Sequence, residues 1–237
     1  MQSPNILIIG ASSGIGLALA KKLKAAGNTV YTASRHQSEG LSATGLPYFE
    51  YNAVEDRPEE VLNSLPDHLD GLVYCPGSIQ LKPFHRITEA SFLEEYQLNV
   101  LGAVRILQAM LPRLKKAEQS SVVLFSTVAA KLGMPFHASI ASAKAAVEGL
   151  VRSLAAEWAV QNIRVNAIAP SLSDTPLAEK LLNTDAKRES ADKRHPLLSI
   201  GQAEDHAALA AFLLSDQARW MTGQIIGLDG GLGSLKV

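Results

Sequence analysis

The stretch "IIGASSGIG", residues 8–16, decides the fold that this sequence predicts. It places Gly10, Gly14 and Gly16 directly after an apolar run and at the start of a helical pattern. Glycines allow a tight turn and a close approach of the backbone to a pyrophosphate, which the N-terminus of the following helix favours electrostatically. Because a strand precedes the glycines and a helix follows them, the stretch predicts a dinucleotide-binding loop.

Short β-rich runs alternate with longer helical patterns along the whole chain. The predicted strands cover 5–10, 29–34, 47–51, 71–75, 121–126, 163–169 and 224–228, and the predicted helices cover 15–26, 56–65, 88–116, 138–160 and 203–214. Several strands are apolar throughout, as expected for a parallel sheet that is covered on both faces. The pattern predicts an α/β fold with a doubly wound sheet, and residues 1–237 are predicted to form a single domain. The least regular segment, 171–201, is predicted to form loops over a binding crevice.

The composition limits the classes of function. Hydrophobic residues make up 47% of the 237 residues and charged residues 19%, which is typical of a globular protein. A net charge of −1 without a long basic run argues against a nucleic-acid partner. One cysteine, Cys75, and six scattered histidines argue against a metal site. A single cysteine fits a reducing, cytoplasmic setting, and no apolar stretch reaches the roughly 18 residues of a membrane span, so we expect a cytoplasmic protein with no membrane partner.

The end of the second predicted strand indicates which dinucleotide binds. A carboxylate for the adenosine ribose is normal about 20 residues past the glycines, whereas this chain has "TASRH", residues 32–36. A carboxylate would repel a 2′-phosphate, and Arg35, beside Ser34, can pair with it through two hydrogen bonds. The sequence therefore predicts NADP(H) in preference to NAD(H). The alternative is that Arg35 is a solvated arginine without a ligand.

Several motifs in fixed order resemble the short-chain dehydrogenase/reductase family. They are the glycine spacing G-x-x-x-G-x-G, "LVYCPG" (72–77), "LNVLGA" (98–103), "IRVNAIAPSLSDTP" (163–176) and "WMTGQIIGLDGG" (220–231). They extend across essentially the whole chain. The resemblance implies a Rossmann-type seven-stranded parallel sheet with helices on both faces, a small-molecule substrate, and a homo-oligomer, either a tetramer or a dimer.

By the same resemblance, residues from six parts of the chain would hold the cofactor. The implied residues are Gly10, Ser12, Ser13, Ile15 and Gly16 at the diphosphate; Ser34 and Arg35 at the 2′-phosphate; Asn52 and Ala53 at the adenine; Cys75, Pro76 and Gly77 beneath the cofactor; Lys144 at the ribose; and Pro170, Ser173 and Thr175 at the nicotinamide. Asn52 stands where the family usually has an aspartate, and Ser171 where a glycine is common. The alternative for Cys75 is a small buried side chain that behaves as a hydrophobe.

The catalytic positions match the family in part. Members use a serine, a tyrosine and a lysine, assisted by an asparagine, and the resemblance assigns these roles to Thr127, Lys144 and Asn99, with a threonine for the serine. The tyrosine position, four residues before Lys144, is Ile140, which has no proton to give. His137, seven residues before Lys144, is a candidate for the missing general acid, since histidine exchanges protons near neutral pH. The alternative is that His137 ends a loop and faces solvent.

Three functions are compatible with this pattern. The first is an NADP(H)-dependent oxidoreductase acting on a carbonyl, imine or activated alkene, with another donor or an acceptor that needs little protonation. The second is a non-catalytic NADP(H)-binding protein, a sensor or a partner subunit. The third is a carbonyl reductase whose proton arrives through water. The substrate pocket is expected within 78–86, 128–138 and 171–200, with a partly apolar lining that includes Leu81, Phe84, Met134 and Phe136.

Overall fold

Seven parallel strands form the central sheet of the computed structural model, which describes residues 3–236. A small second sheet adds two short strands. In chain order the strands of both sheets are β1 (Asn5–Ile9), β2 (Thr29–Ser34), β3 (Tyr48–Glu50), β4 (Gly71–Tyr74), β5 (Ser120–Phe125), β6 (Ile163–Pro170), β7 (Ser173–Asp174), β8 (Gly201–Gln202) and β9 (Ile225–Leu228). The central sheet has the order β3-β2-β1-β4-β5-β6-β9, and β7 pairs with β8 in a small second sheet. The strand order reverses direction at β1 and β4, and ligands of such sheets bind at the carboxyl ends of the strands near that point.

Helices cover both faces of the sheet. They are α1 (Gly14–Ala25), α2 (Glu39–Ser42), α3 (Pro58–Val61), α4 (Glu89–Tyr96), α5 (Gly102–Leu114), α6 (Ala138–Trp158), α7 (Glu179–Leu182), α8 (Asp185–Asp192) and α9 (Ala203–Leu214), with a π-helical turn at Gln97–Leu101 and 3₁₀ turns at Phe84–Arg86, Val128–Ala130, Ala159–Gln161, Pro176–Ala178 and Asp216–Ala218. No helix among these is long and apolar enough to cross a membrane in the part of the chain that is described.

The alternation of side chains along β1 explains why helices lie on both faces. Leu7 and Ile9 belong to the buried cluster that contains residues of α5 and α6. Ile6 and Ile8 belong to the other cluster, with residues of α1 and α9. Successive side chains of a strand point to opposite faces, so an apolar strand needs a helical layer on each side. The doubly wound, seven-stranded sheet that the sequence predicts is confirmed.

Three predicted elements differ from the structure. The predicted helix 88–116 is two helices, α4 and α5, joined by the π-helical turn. The predicted helix 56–65 reduces to α3, which begins at Pro58 and ends at Val61. The segment 171–201 was expected to consist of loops but contains β7, α7, α8 and β8, and the hydroxyl of Thr184 caps α8 by accepting from the amide of Lys187.

Candidate active site

The glycine loop after β1 has a conformation that requires glycine. Gly10 and Gly14 have φ angles of +84° and +52°, and a Cβ added at Gly16 would lie 2.2 Å from the carbonyl oxygen of Gly10. Ser13 is the N-cap of α1, yet its side chain makes no capping hydrogen bond, and the first turn of α1 contains no acidic residue. The amide groups at the start of this 12-residue helix therefore suit an anion. The loop fits the diphosphate of a dinucleotide.

Neighbouring elements hold this loop in place. The Ser12 carbonyl accepts a hydrogen bond of 2.5 Å from the hydroxyl of Ser38. Pro76 packs against Gly10, because a Cβ added there would lie 3.0 Å from the nitrogen of Pro76. Thr175 lies over the other end of the loop, where its Cβ would be 3.4 Å from a Cβ added at Gly14. Residues predicted from three separate motifs thus meet at one loop.

The end of β2 presents one exposed cation. Arg35 is exposed, and its guanidinium has neither an ion pair nor a hydrogen bond among residues 3–236. The neighbouring Ser34 is buried, and its hydroxyl donates to the carbonyl of His36 at 2.9 Å. Arg35 is therefore available to a phosphate, while the Ser34 hydroxyl already has an acceptor.

The two residues predicted at the adenine make local contacts. The Oδ1 atom of Asn52 accepts from the amide of Val54 at 3.0 Å, and its Nδ2 atom donates to Glu55 at 2.7 Å. The carbonyl of Ala53 accepts from the guanidinium of Arg105 at 2.7 Å. The Asn52 side chain thus closes a turn with its own neighbours, which leaves the second lone pair of Oδ1 and the second hydrogen of Nδ2 for an adenine.

A cavity of about 590 Å³ opens at the carboxyl ends of β4, β5 and β6. Its wall brings together nine of the residues predicted from sequence: Ile15, Cys75, Gly77, Thr127, His137, Lys144, Pro170, Ser173 and Thr175. Asn99 is not on the wall. Of the residues predicted to contact the diphosphate, the 2′-phosphate or the adenine, Ile15 lines the cavity and the others do not.

The apolar part of the wall agrees with half of the prediction. Leu81 and Met134 line the cavity, together with Leu172 and Leu177 from the segment after β6. Phe84 and Phe136, which were also expected to contribute to an apolar lining, are not on this wall and are 73% and 56% exposed. Phe84 packs edge-on against Phe92, and Phe136 has a positive φ of 69°.

Lys144 is buried beside the place expected for a cofactor. Its side chain is on the cavity wall with a relative exposure of 8%, and Nζ donates to the carbonyl of Phe125 at 2.8 Å. Burial lowers the pKa of Lys144 to about 8, and the charge of Glu95 partly opposes this. A Cβ added at Gly77 would lie 3.6 Å from Nζ and 3.5 Å from the Oδ1 of Asn99, so the absence of a side chain at Gly77 leaves this space open.

Asn99 belongs to a buried polar cluster behind the wall. It lies in the π-helical turn, an irregularity that often occurs at functional sites. Its Nδ2 atom donates to the side chain of Glu95 at 3.0 Å, and the hydroxyl of Ser78, a wall residue, donates to the same carboxylate oxygen at 2.5 Å. Glu95 is 1% exposed. The sequence interpretation missed this carboxylate, although its spacing of four residues from Asn99 on one helical face was a usable signal.

The residues at the expected reaction centre come from β5, β6 and α6. The Thr127 hydroxyl donates to the carbonyl of Pro170 at 3.4 Å and lines the cavity. Ile140 is buried on α6 one turn before Lys144, with its side chain on the wall. His137, immediately before α6, is half-buried on the wall, and its Nδ1 donates to the carbonyl of Pro135 at 2.7 Å.

Two serine–histidine pairs, one buried and one half-buried, were not predicted. The Oγ of Ser171 lies 2.8 Å from the Nε2 of His195, and the Oγ of Ser173 lies 2.6 Å from the Nε2 of His206. No sequence pattern indicated these pairs, because their members are 24 and 33 residues apart. Between residues 3 and 236, no group of three or more His, Cys, Asp or Glu side chains could hold a metal ion.

Cys75, under the cofactor groove, is a weakly reactive thiol. Its amide donates to the carbonyl of Ile9 at 2.9 Å, which fixes the turn after β4. Burial raises the pKa of the Cys75 thiol to about 12, with a smaller opposing effect of the Lys144 charge. Since the thiolate is the reactive form of cysteine, this thiol acts as a small apolar side chain on the wall.

Comparison with known proteins gives consistent matches along the chain. A family model described as enoyl-(acyl carrier protein) reductase matches residues 10–233. The 3-oxoacyl-[acyl-carrier-protein] reductase FabG of Thermotoga maritima is 34% identical, with 95% of this chain and 96% of that protein covered. A tropinone reductase homolog of Arabidopsis thaliana is 32% identical, with 98% and 94% covered.

Solved structures share the fold. A short-chain type dehydrogenase/reductase from Mycobacterium ulcerans superposes with a TM-score of 0.89 at 27% identity, with 98% of this chain and 90% of that chain covered. At 24% identity, one structure with this fold holds NADPH and another holds NADH.

Proposed function

The chain belongs to the short-chain dehydrogenase/reductase family, and from that premise we propose that it is an NADP(H)-dependent oxidoreductase. Its substrate is a small, partly apolar carbonyl compound, imine or activated alkene. The observation that carries the proposal is the cavity of about 590 Å³ at the carboxyl ends of the strands. There Lys144, Thr127 and the glycine-loop residue Ile15 meet a largely apolar wall.

The chain's own residues suit each part of the cofactor. The amides at the start of α1 face the diphosphate, and Lys144 has two ammonium hydrogens beyond the one given to Phe125, which suit the ribose hydroxyls. Bound NADPH would supply a hydride to the substrate. The exposed guanidinium of Arg35, which has no partner among residues 3–236, supports NADP(H) over NAD(H), because only NADP(H) carries the 2′-phosphate that it can bind.

Proton supply distinguishes this site from that of the family's usual members. Ile140 occupies the helical position of the tyrosine, and a hydrocarbon side chain cannot donate a proton. Losing a positioned general acid costs about 10²–10⁴ in rate. Two solutions fit: a substrate such as an iminium, which is already protonated, or a different donor. His137 is one candidate donor, because its Nδ1 is committed to Pro135 and its Nε2 is left for a substrate.

The second candidate function is a non-catalytic NADP(H)-binding protein, acting as a sensor or as a partner subunit. The observation that favours it is the same Ile140, since the glycine loop and Lys144 are needed for binding alone. A homo-oligomer, tetramer or dimer, also stays a prediction, which analytical ultracentrifugation of the purified chain would check.

One experiment separates the two functions. Purified protein is assayed for NADPH oxidation against a panel of ketones, activated enones and cyclic imines, with Ile140→Tyr assayed beside it and NADPH affinity measured by fluorescence for both. Turnover of one class by the unaltered protein supports the oxidoreductase. If both proteins bind NADPH and only Ile140→Tyr turns over, the natural protein is a binding protein.

A further inference from the structure

Ser171 and His195 form a hydrogen-bonded pair on the wall of the cavity. Their Oγ and Nε2 atoms are 2.8 Å apart, both residues line the cavity, and His195 is 2% exposed. Ser171 directly follows Pro170, whose carbonyl accepts from the hydroxyl of Thr127. The pair therefore lies next to the hydroxyl that occupies the family's serine position.

The second ring nitrogen of His195 fixes where the proton of the pair lies. Nδ1 is 2.8 Å from the carbonyl oxygen of Ala191. A carbonyl can only accept, so Nδ1 carries a hydrogen in both protonation states. In the neutral ring, Nε2 consequently accepts the hydroxyl hydrogen of Ser171. In the protonated ring, Nε2 donates to Oγ, and the hydroxyl hydrogen of Ser171 is free to point into the cavity.

We propose that His195 and Ser171 form the proton relay of this enzyme, in the role that a tyrosine has elsewhere in the family. The proposal rests on the oxidoreductase function proposed above. As the carbon of a substrate C=O group gains the hydride that bound NADPH would supply, the π electron pair of that bond would move to the oxygen, which would take the hydroxyl proton of Ser171. Oγ in turn takes the Nε2 proton of His195, and the ring ends neutral with its hydrogen on Nδ1. His195 regains a proton from water after the product leaves, and oxidation runs the same steps backwards.

Backbone groups and carboxylates that already have hydrogen-bond donors surround His195. Gly230 packs against the ring, since a Cβ added there would lie 3.3 Å from the Cβ of His195. The nearby carboxylate of Asp192 already accepts a hydrogen bond from the amide of Ile200 at 2.8 Å. The carboxylate of Asp229 accepts from the amides of Gly231 and Gly233 at 3.0 and 3.1 Å. The other ionisable side chains of the wall, apart from Cys75, are basic: His137, Lys144, Lys187 and Arg194.

No carboxylic acid is on this wall among the described residues, so none competes with the pair for the substrate oxygen. Glu95 lies behind Ser78 and reaches the cavity only through that hydroxyl. The second pair, Ser173 and His206, provides an internal comparison. The hydroxyl of Ser173 donates to the carbonyl of Ser171 at 3.1 Å, and His206 is buried away from the wall.

Steady-state kinetics of variants test the relay. Ser171→Ala and His195→Gln are expected to lower kcat about 10²–10⁴-fold on the substrate class that the panel assay selects, with NADPH affinity within about twofold of the unaltered protein. The alkaline fall in kcat that a histidine acid produces should disappear in both variants. Ser171→Thr keeps a hydroxyl and should retain most of the activity. His206→Gln, the matched control, should keep the pH profile of the unaltered protein.

A second substitution shows whether Ser171→Ala lowers turnover because the proton donor is missing or because the structure of the site is disturbed. Adding Ile140→Tyr to Ser171→Ala supplies a phenol one turn before Lys144, and we expect turnover to recover at least tenfold. Turnover that stays at the level of the unaltered protein in both Ser171→Ala and His195→Gln overturns the relay alone. If the unaltered protein binds NADPH but turns over no substrate, the proposed function fails, and the relay fails with it.

An NMR measurement tests the pair without any turnover. With ¹⁵N-labelled imidazoles, His195 in the unliganded protein at alkaline pH should have its hydrogen on Nδ1, and Ser171→Ala should shift the Nε2 resonance. A neutral ring with its hydrogen on Nε2 would overturn the relay, because Ser171 could then receive a hydrogen bond but could not pass a proton from an imidazolium.

Discussion

Replacing the buried lysine tests the electrostatics of the site through protein stability. The change is Lys144→Met, which keeps the length of the side chain and removes its charge. Burial lowers the pKa of Lys144 from 10.5 to about 8. A difference of one in pKa corresponds to about 1.36 kcal/mol, so holding the ammonium in the folded protein costs about 3 kcal/mol near pH 7.

The variant loses one favourable contact as well. Without the ammonium, the carbonyl of Phe125 no longer receives its hydrogen bond of 2.8 Å, and a buried acceptor left unpaired costs about 1–3 kcal/mol. The two effects have opposite sign. We therefore expect Lys144→Met to be more stable than the unaltered protein by about 1 kcal/mol near pH 7, and to bind NADPH more weakly.

The dependence on pH gives the sharper test. The pKa of Lys144 is lower in the folded protein than in the unfolded chain, so the unfolded chain binds more protons between about pH 8 and 10.5, and the contribution of Lys144 to stability rises with pH in that window. The advantage of Lys144→Met should therefore shrink by about 2 kcal/mol between about pH 7 and pH 9.5.

Urea unfolding followed by circular dichroism at the two pH values measures this difference. Lys131→Met, at an exposed lysine, controls for the removal of a charge. A difference between Lys144→Met and the unaltered protein that is the same at both pH values would refute the reasoning, because the ammonium would then carry no cost of burial.

Three further predictions concern the cofactor groove and α6. Gly16→Ala should abolish NADPH binding in a fluorescence titration, because its Cβ would lie 2.2 Å from the carbonyl oxygen of Gly10. Gly149→Ala, on α6, should instead raise the free energy of unfolding by about 0.5–1 kcal/mol, because no atom lies within 4 Å of the added Cβ. Arg35→Ala should weaken NADPH binding by about 10–100-fold and leave NADH binding nearly unchanged, and an equal loss for both would contradict the 2′-phosphate contact. Cys75, with its pKa raised to about 12 by burial, should react with iodoacetamide near pH 8 about 10³-fold more slowly than in the urea-unfolded chain; similar rates would contradict its burial.

Much of the fold and of the cofactor groove could be predicted because the signals are local. The glycine loop needs Gly10, Gly14 and Gly16 within seven residues, and the structure gives each of them a conformation or a contact that a larger side chain would disturb. Where the local signal was ambiguous, prediction failed. The helical pattern 88–116 did not reveal the π-helical turn that holds Asn99, because a turn of five residues is too short to be recognised from the spacing of apolar residues.

The lining of the cavity could be predicted only in part. Leu81 and Phe84 are three residues apart and both have large apolar side chains. Leu81 is on the wall, whereas Phe84 packs against Phe92 at the surface. Which side chain faces a cavity depends on the direction of the backbone in an irregular loop. Residue type alone does not fix that direction.

By itself, the sequence determined the doubly wound sheet and the glycine loop after β1, and it predicted a missing proton donor at Ile140, since each follows from residue types and their spacing along the chain. Only the tertiary structure decided that the carboxyl of Glu95 lies behind Ser78, that the side chain of Asn52 closes its own turn, and that His195 meets Ser171 across 24 residues of chain. The physical reason is that a hydrogen bond between distant residues requires the whole path of the backbone between them, which is set by how β6, α8 and the C-terminal segment pack together.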